Sequence, residues 1–178
     1  MLLLLAIEPA VISPGGMIMK ELVAIAEQVA EKLKAKRQTI AVAESSAGGL
    51  ISAALLAVPG ASAYFLGSAV VYTGEARRLL ADIPNADVKG IHSATEIYAE
   101  LLAERIHQRF TSDWGLSETG AAGPTGNRYG DAAGHTCIAV SGVASAAITV
   151  ETGSADRLAN MHAFAEAALR LLLQHLSK

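Results

Sequence analysis

The chain has a single cysteine, no run of basic residues and no apolar stretch long enough to cross a bilayer. A lone Cys137 excludes an internal disulfide and fits a reducing compartment. A net charge of −3 without a basic cluster leaves out the electrostatic footprint of a nucleic-acid binder. Leu2 to Ile7 is apolar but far short of the about 20 residues that a membrane span needs, and no Lys or Arg precedes it as a signal peptide requires. These readings predict a cytoplasmic protein with no membrane partner. Fixed-period repeats and low-complexity tracts are absent too.

Apolar residues make up 52% of the 178 and charged ones 17%, the balance of a well-buried domain. That length suits one compact unit. Residues 1–16 read as an arm or upstream extension, because Pro9, Pro14 and Gly15-Gly16 break helical continuity. The domain is expected over residues 17–178.

Elements alternate along that domain. Lys20 to Lys36 carries Leu22, Val23, Ala26, Val29, Ala30 and Leu33 at helical spacing. A strand, Thr39 to Ala43, and a helix, Leu50 to Ala57, follow, with Pro59-Gly60 closing the helix. Leu66 to Tyr72 reads as a strand and Glu75 to Ala81 as a short helix. Ser93 with Glu96 reads as a capping box opening a long helix. Asp113 to Thr119, His135 to Ser141 and Ala146 to Glu151 read as strands, the last two a hairpin. Ser154 or Asp156 starts a terminal helix. The predicted fold is a three-layer α/β/α sandwich around a mixed, mostly parallel sheet.

Glu44-Ser45-Ser46-Ala47-Gly48-Gly49 sits where the first strand meets the next helix. Such a turn exposes a hydroxyl at the sheet's carboxyl edge and brings backbone N–H groups toward an anion. Ser45 is the candidate nucleophile; the alternative is that Ser45 or Ser46 merely caps the helix. The loop Gly120 to Gly134 lacks the lysine and spacing of a phosphate loop and shows no dinucleotide fingerprint, so its ligand stays open. Its Arg128 either meets a phosphate or lies in solvent. His135 and Cys137 share a strand face without a second ligand pair, which argues against a metal site. Cys137 is better read as a small buried residue.

Ala43-Glu44-Ser45, Gly48-Gly49-Leu50 and Val58-Pro59-Gly60-Ala61-Ser62-Ala63-Tyr64-Phe65 resemble the CinA carboxy-terminal domain family. Tyr72-Thr73-Gly74-Glu75-Ala76-Arg77, Thr119-Gly120-Ala121-Ala122-Gly123-Pro124 and Asp156-Arg157 extend the resemblance over residues 18–176. It implies a homodimeric nicotinamide mononucleotide deamidase that needs no cofactor and hydrolyses a carboxamide to release ammonia. Ser45 would attack, backbone N–H groups around Ala47 to Gly49 would hold the oxyanion, and Ser46, Ala47, Gly48 and Gly49 would contact the substrate. Tyr72, Thr119, Gly120 and Gly123 would line the site, and Arg157 would take the 5′-phosphate. In this family a lysine, taken as the base, stands where this chain has Arg77. Arginine stays protonated and cannot accept the serine proton. Glu118, Glu44 or His92 is then a candidate replacement base, or the chain is a silent relative that binds a nucleotide or protein partner. Arg77 itself is expected to pair with Glu118 or to lie solvated. Ser45, Arg77, Thr119 and Arg157 should converge on one cleft at the carboxyl ends of the strands.

Overall fold

The computed structural model describes the backbone from residue 14 and side chains from residue 19, in both cases to residue 178; residues 1–13, with Leu2 to Ile7 and Pro9, lie outside the described residues. The first helix, α1 (Pro14–Lys36), starts earlier than the glycine-proline pattern suggests. Proline suits a first-turn position, because its missing N–H has no helical partner there in any case. After it come β1 (Ile40–Glu44), α2 (Leu50–Ala57), β2 (Phe65–Val70), α3 (Gly74–Leu80), α4 (Glu96–Phe110), β3 (Trp114–Ala121), β4 (His135–Gly142), β5 (Ala146–Glu151) and α5 (Arg157–Leu176).

The five strands form one sheet in the order β2-β1-β3-β4-β5. β1 pairs parallel with both β2 and β3, while β4 pairs antiparallel with β3 and β5, so β4 alone runs against the other four. Helices α1, α2 and α5 cover one face and α4 the other, the expected three layers.

The two faces differ in residue size. Ile40 and Val42 of β1, Trp114 and Leu116 of β3 and Ile138 and Val140 of β4 point toward α1, α2 and α5. Large side chains there, with Tyr64 and Phe164, each contribute about 1.5–3 kcal/mol by leaving water. Tyr64 donates its hydroxyl to the Leu55 carbonyl at 2.5 Å, and the Trp114 indole donates to Gln38 at 2.9 Å, so both buried polar ends are satisfied. The opposite face presents Ala41, Ala43, Ala69, Cys137 and Ala139. Small residues let α4 settle close: a Cβ on Gly115 would lie 2.0 Å from the Ala103 carbonyl oxygen.

Helix α4 begins two residues later than the capping-box reading places it. Thr95, not Ser93, is its N-cap, accepting from the Tyr98 N–H at 3.3 Å. Ala94 has a left-handed backbone with φ of 60°, which no helix tolerates, so the helix cannot start at Ser93. Asp156 caps α5 through a bond from the Ala159 N–H at 3.0 Å.

Candidate active-site cleft

Beyond Ala43↔Ser117 the β1 and β3 pairing ends, and the β1–β2 connection carries α2 on one face while the β2–β3 connection carries α4 on the other. A crevice opens at such a point of an α/β sheet. Here it is a cavity of about 370 Å³ lined by Ser45, Tyr72, Arg77 and Thr119, and also by Ser93, Tyr98, Gly120, Asn127, Arg128 and Tyr129. A neighbouring cavity of about 280 Å³ shares Tyr72, Gly120 and Asn127, and adds Ser46, Gly123 and Arg157. Ser45, Tyr72, Arg77 and Thr119 therefore share one cavity, and Arg157 borders the adjoining one.

The turn that displays Ser45 is held from below by two carboxylates. Glu44, fully buried at the end of β1, accepts from the Gly49 and Ile51 N–H groups on Oε2, at 2.8 and 3.2 Å. Its Oε1 takes the Ser52 N–H and hydroxyl at 3.1 and 2.5 Å. Glu118, fully buried in β3, accepts from the Ser45 and Ala47 N–H groups on Oε2, at 3.1 and 2.8 Å. The Ser46 and Thr136 hydroxyls donate to its Oε1, the latter at 2.8 Å. Burial raises the Glu118 carboxyl above its usual range, against the opposing pull of these four hydrogen bonds. Gly48 and Gly49 complete the turn with φ of 68° and 101°, values that a side chain would resist.

Three expectations change on this geometry. Neither Ser45 nor Ser46 caps α2: Gly49 is the N-cap residue and makes no side-chain bond, and the carboxylate of Glu44 meets the orphan N–H groups instead. The Ala47 and Gly49 N–H groups expected for an oxyanion are engaged by Glu118 and Glu44, and the Gly48 N–H by the Ser45 carbonyl at 3.1 Å. Glu118 and Glu44, as candidate bases, carry four donors each and neither bonds the Ser45 hydroxyl. Among the described residues the Ser45 hydroxyl and the Ser46 N–H have no hydrogen-bond partner. The Ser46 N–H follows the candidate nucleophile directly, the position that supplies an oxyanion donor in other strand-turn-helix nucleophile loops.

Arg77 is neither solvated nor paired with Glu118. It is 6% exposed, its Nε donates to the Ile83 carbonyl at 3.1 Å, and its guanidinium donates to Asn85. Burial raises the pKa of the Tyr98 phenol in the same lining, and the nearby Arg77 charge opposes the rise. Across the cavity mouth the Tyr129 ring stacks on His92, centroids 4.5 Å apart, and Arg128 donates to the Tyr129 hydroxyl at 2.7 Å. The Arg128 hydrogen bond, chiefly, lowers the pKa of that phenol. Arg128 is thus at the cleft, although exposed, while His92 is not among the lining residues. The lining holds two arginines and no carboxylate, a balance that favours an anionic ligand.

Arg157 donates to the Gly123 carbonyl at 2.7 Å and to the Tyr72 hydroxyl at 3.1 Å, tying the glycine-rich loop to β2's exit. Thr119, buried, accepts from the Ala94 N–H at 3.2 Å, which makes it more than a strand end. Tyr98, Asn127 and Ser93 were not legible as site residues, since nothing in their spacing separates them from ordinary helix and loop positions. His135 Nε2 and Cys137 Sγ lie 3.7 Å apart, but no three His, Cys, Asp or Glu side chains gather as metal ligands among the described residues. No described helix is long and apolar enough to cross a membrane.

Solved structures of the CinA superfamily share this three-layer fold. A competence-damaged protein (CinA) superfamily protein from Escherichia coli superposes with a TM-score of 0.81 at 21% identity, over 86% of this chain and 90% of that one. Competence damage-inducible protein A (ComA) from Klebsiella pneumoniae gives 0.81 at 25% identity, over 88% and 97%. Residues 22–176 match the CinA C-terminal domain, and the chain belongs to that family. A CinA-like protein from Synechococcus sp. is 35% identical over 144 residues, 77% of this chain. One from Sulfurihydrogenibium sp. is 40% identical over 100 residues, 56% of this chain. The chain's matches span 34% and 25% of these two relatives' own lengths.

Proposed function

We propose that the cleft binds a pyridine mononucleotide and that the protein is a slow amidohydrolase acting on its carboxamide, nicotinamide mononucleotide being the substrate. The observation that carries this reading is the unengaged Ser45 hydroxyl in a cavity rich in arginine, followed by the unengaged Ser46 N–H. Ser45 Oγ attacks the carboxamide carbon while its proton passes through a water to the amide nitrogen, and the Ser46 N–H meets the developing oxyanion. Collapse breaks the C–N bond and expels ammonia to leave an ester that a second water hydrolyses to the free acid, returning a proton to Ser45. Arg128, at the cleft mouth, and Arg157, in the adjoining cavity, supply charge for the phosphate. We place this activity in the cytoplasm, in a homodimer whose partner is a small nucleotide rather than nucleic acid or a membrane.

A second reading has its own support. Arg77 is a fixed cation bound to Ile83 and Asn85, and both nearby carboxylates are saturated, so no proton acceptor is hydrogen-bonded to the Ser45 hydroxyl. The protein would then hold the nucleotide without turning it over. Calorimetric binding of nicotinamide mononucleotide, measured beside ammonia release by wild type and Ser45→Ala, separates the two. Turnover that vanishes in Ser45→Ala supports the hydrolase; binding without turnover supports the silent binder; absence of both rejects each reading.

A further inference from the structure

Next to Ser93 of the cleft lining, Ala94 has a strained backbone and is clamped from both sides. Its φ of 60° is costly for a residue with a Cβ, and such backbone persists only where its surroundings over-determine it. Its N–H donates to Thr119 Oγ1 at 3.2 Å, and its carbonyl faces His135 Nε2 at 2.9 Å. Ala94 lies between Ser93, which lines the cleft together with Tyr129, and Thr95, which caps α4. His135 is thus one carbonyl away from the wall that carries Ser93, Thr119 and Tyr129.

The other ring nitrogen of His135, Nδ1, meets the Glu151 carboxylate. A carbonyl and a carboxylate both accept, so the ring serves both partners only with a proton on each nitrogen. The geometry points to His135 as a positioning residue that, as an imidazolium, locks Ala94 and with it the Ser93–Thr119 wall of the cleft. Its bearing on the ligand rests on the reading of this cleft as the substrate site.

The groups that face the ring from each neighbouring element favour that charge on balance. Burial pulls its pKa down, but the Glu151 carboxylate of β5, the Ala94 carbonyl and the charges of Glu151 and Asp131 raise it above the ordinary 6.5. Cys137 lies beside Nε2 on β4, and Glu96 of α4 is held by Thr149 at 2.7 Å. Because the folded value is raised, the clamp's contribution is complete below pH of about 6.5 and is lost as pH rises through the raised value. Acidification should therefore tighten the wall, and alkaline conditions should loosen it.

Residue-resolved amide exchange and a histidine NMR titration on the full chain test this. The Ala94 amide, which reads the bond to Thr119, should lose about tenfold in protection factor as His135 deprotonates, the scale of one charge-assisted hydrogen bond. His135→Gln should show lowered protection that no longer changes with pH. Glu151→Gln, which leaves the ring in place, should move the His135 midpoint and the exchange transition downward together. Affinity for nicotinamide mononucleotide should follow the same curve. Ala94 protection that stays flat across the His135 titration would overturn the clamp. A His135-dependent transition with no nucleotide binding at any pH would support the clamp and reject the substrate reading.

Discussion

Glu118 Oε2 accepts the Ala47 N–H at 2.8 Å, across 71 residues of sequence, and this bond fixes the turn that displays Ser45. Glu44 does the same for the start of α2 from the opposite side. Two buried acids thus work as backbone acceptors, a role that a proton acceptor for Ser45 could not share, because each of their oxygens already holds two donors.

Glu118→Gln is the first check. The amide nitrogen would face either two N–H groups or two hydroxyls that now donate, leaving buried donors unmet at about 1–3 kcal/mol each. The variant should lose about 2–4 kcal/mol, and its thermal midpoint should fall by about 5–15 °C. Thermal denaturation followed by circular dichroism measures this. A stable Glu118→Gln with abolished turnover would restore Glu118 as a base.

The pH dependence of stability follows from the same residue. Since the Glu118 pKa is raised in the folded state, the folded chain retains a proton above pH of about 4.5 that the unfolded chain has released. Stability must then fall as pH rises from that value through the raised one. Urea midpoints for wild type should decline over that window more steeply than those for Glu118→Gln, where the titrating group is gone. Parallel curves would show that Glu118 titrates normally.

The helix α2, the hairpin and the three layers were legible because they rest on local spacing: Pro59-Gly60 stops α2, and the two β-rich runs of β4 and β5, parted by Gly142, need no distant partner. What escaped the sequence depends on contacts across the fold. Serine looked like the cap of α2 because a cap is judged within four residues, whereas Glu44 reaches Ser52 from inside a strand. Ser93 looked like the cap of α4 because nothing nearby announces that Thr119 and His135 hold Ala94 in a left-handed turn. Arg77 looked like a partner of Glu118 or a solvated residue on a short helix; its burial comes with bonds to Ile83 and Asn85 of the following loop.

Close packing of α4 on the sheet sets a contrast between two glycines. Gly115→Ala would place a Cβ 2.0 Å from the Ala103 carbonyl oxygen and 2.8 Å from His107 Cβ, so backbone must move. It should destabilise by about 1–3 kcal/mol or more. Gly74→Ala, at the first residue of α3 with open space around it, should gain about 0.4–1 kcal/mol by restricting the unfolded chain. Chemical denaturation of both variants tests the pair; equal effects would mean that α4 shifts freely on the sheet.

Arg77→Lys probes the chemistry most directly. Arginine at this position cannot accept the Ser45 proton, and it is locked by Ile83 and Asn85. Lysine keeps the positive charge but frees a group able to titrate once partly desolvated. General-base assistance is worth about 10²–10⁴ in rate, so kcat/KM for ammonia release from nicotinamide mononucleotide should rise by that order in Arg77→Lys. The double variant Arg77→Lys/Ser45→Ala should return to background, which ties the gain to the hydroxyl. Losing the guanidinium's bonds costs about 1–3 kcal/mol, so the assay belongs well below the thermal midpoint of the variant. A folded Arg77→Lys that binds the nucleotide yet releases no ammonia would show that the barrier lies elsewhere in the cleft, and the serine mechanism would lose its main support.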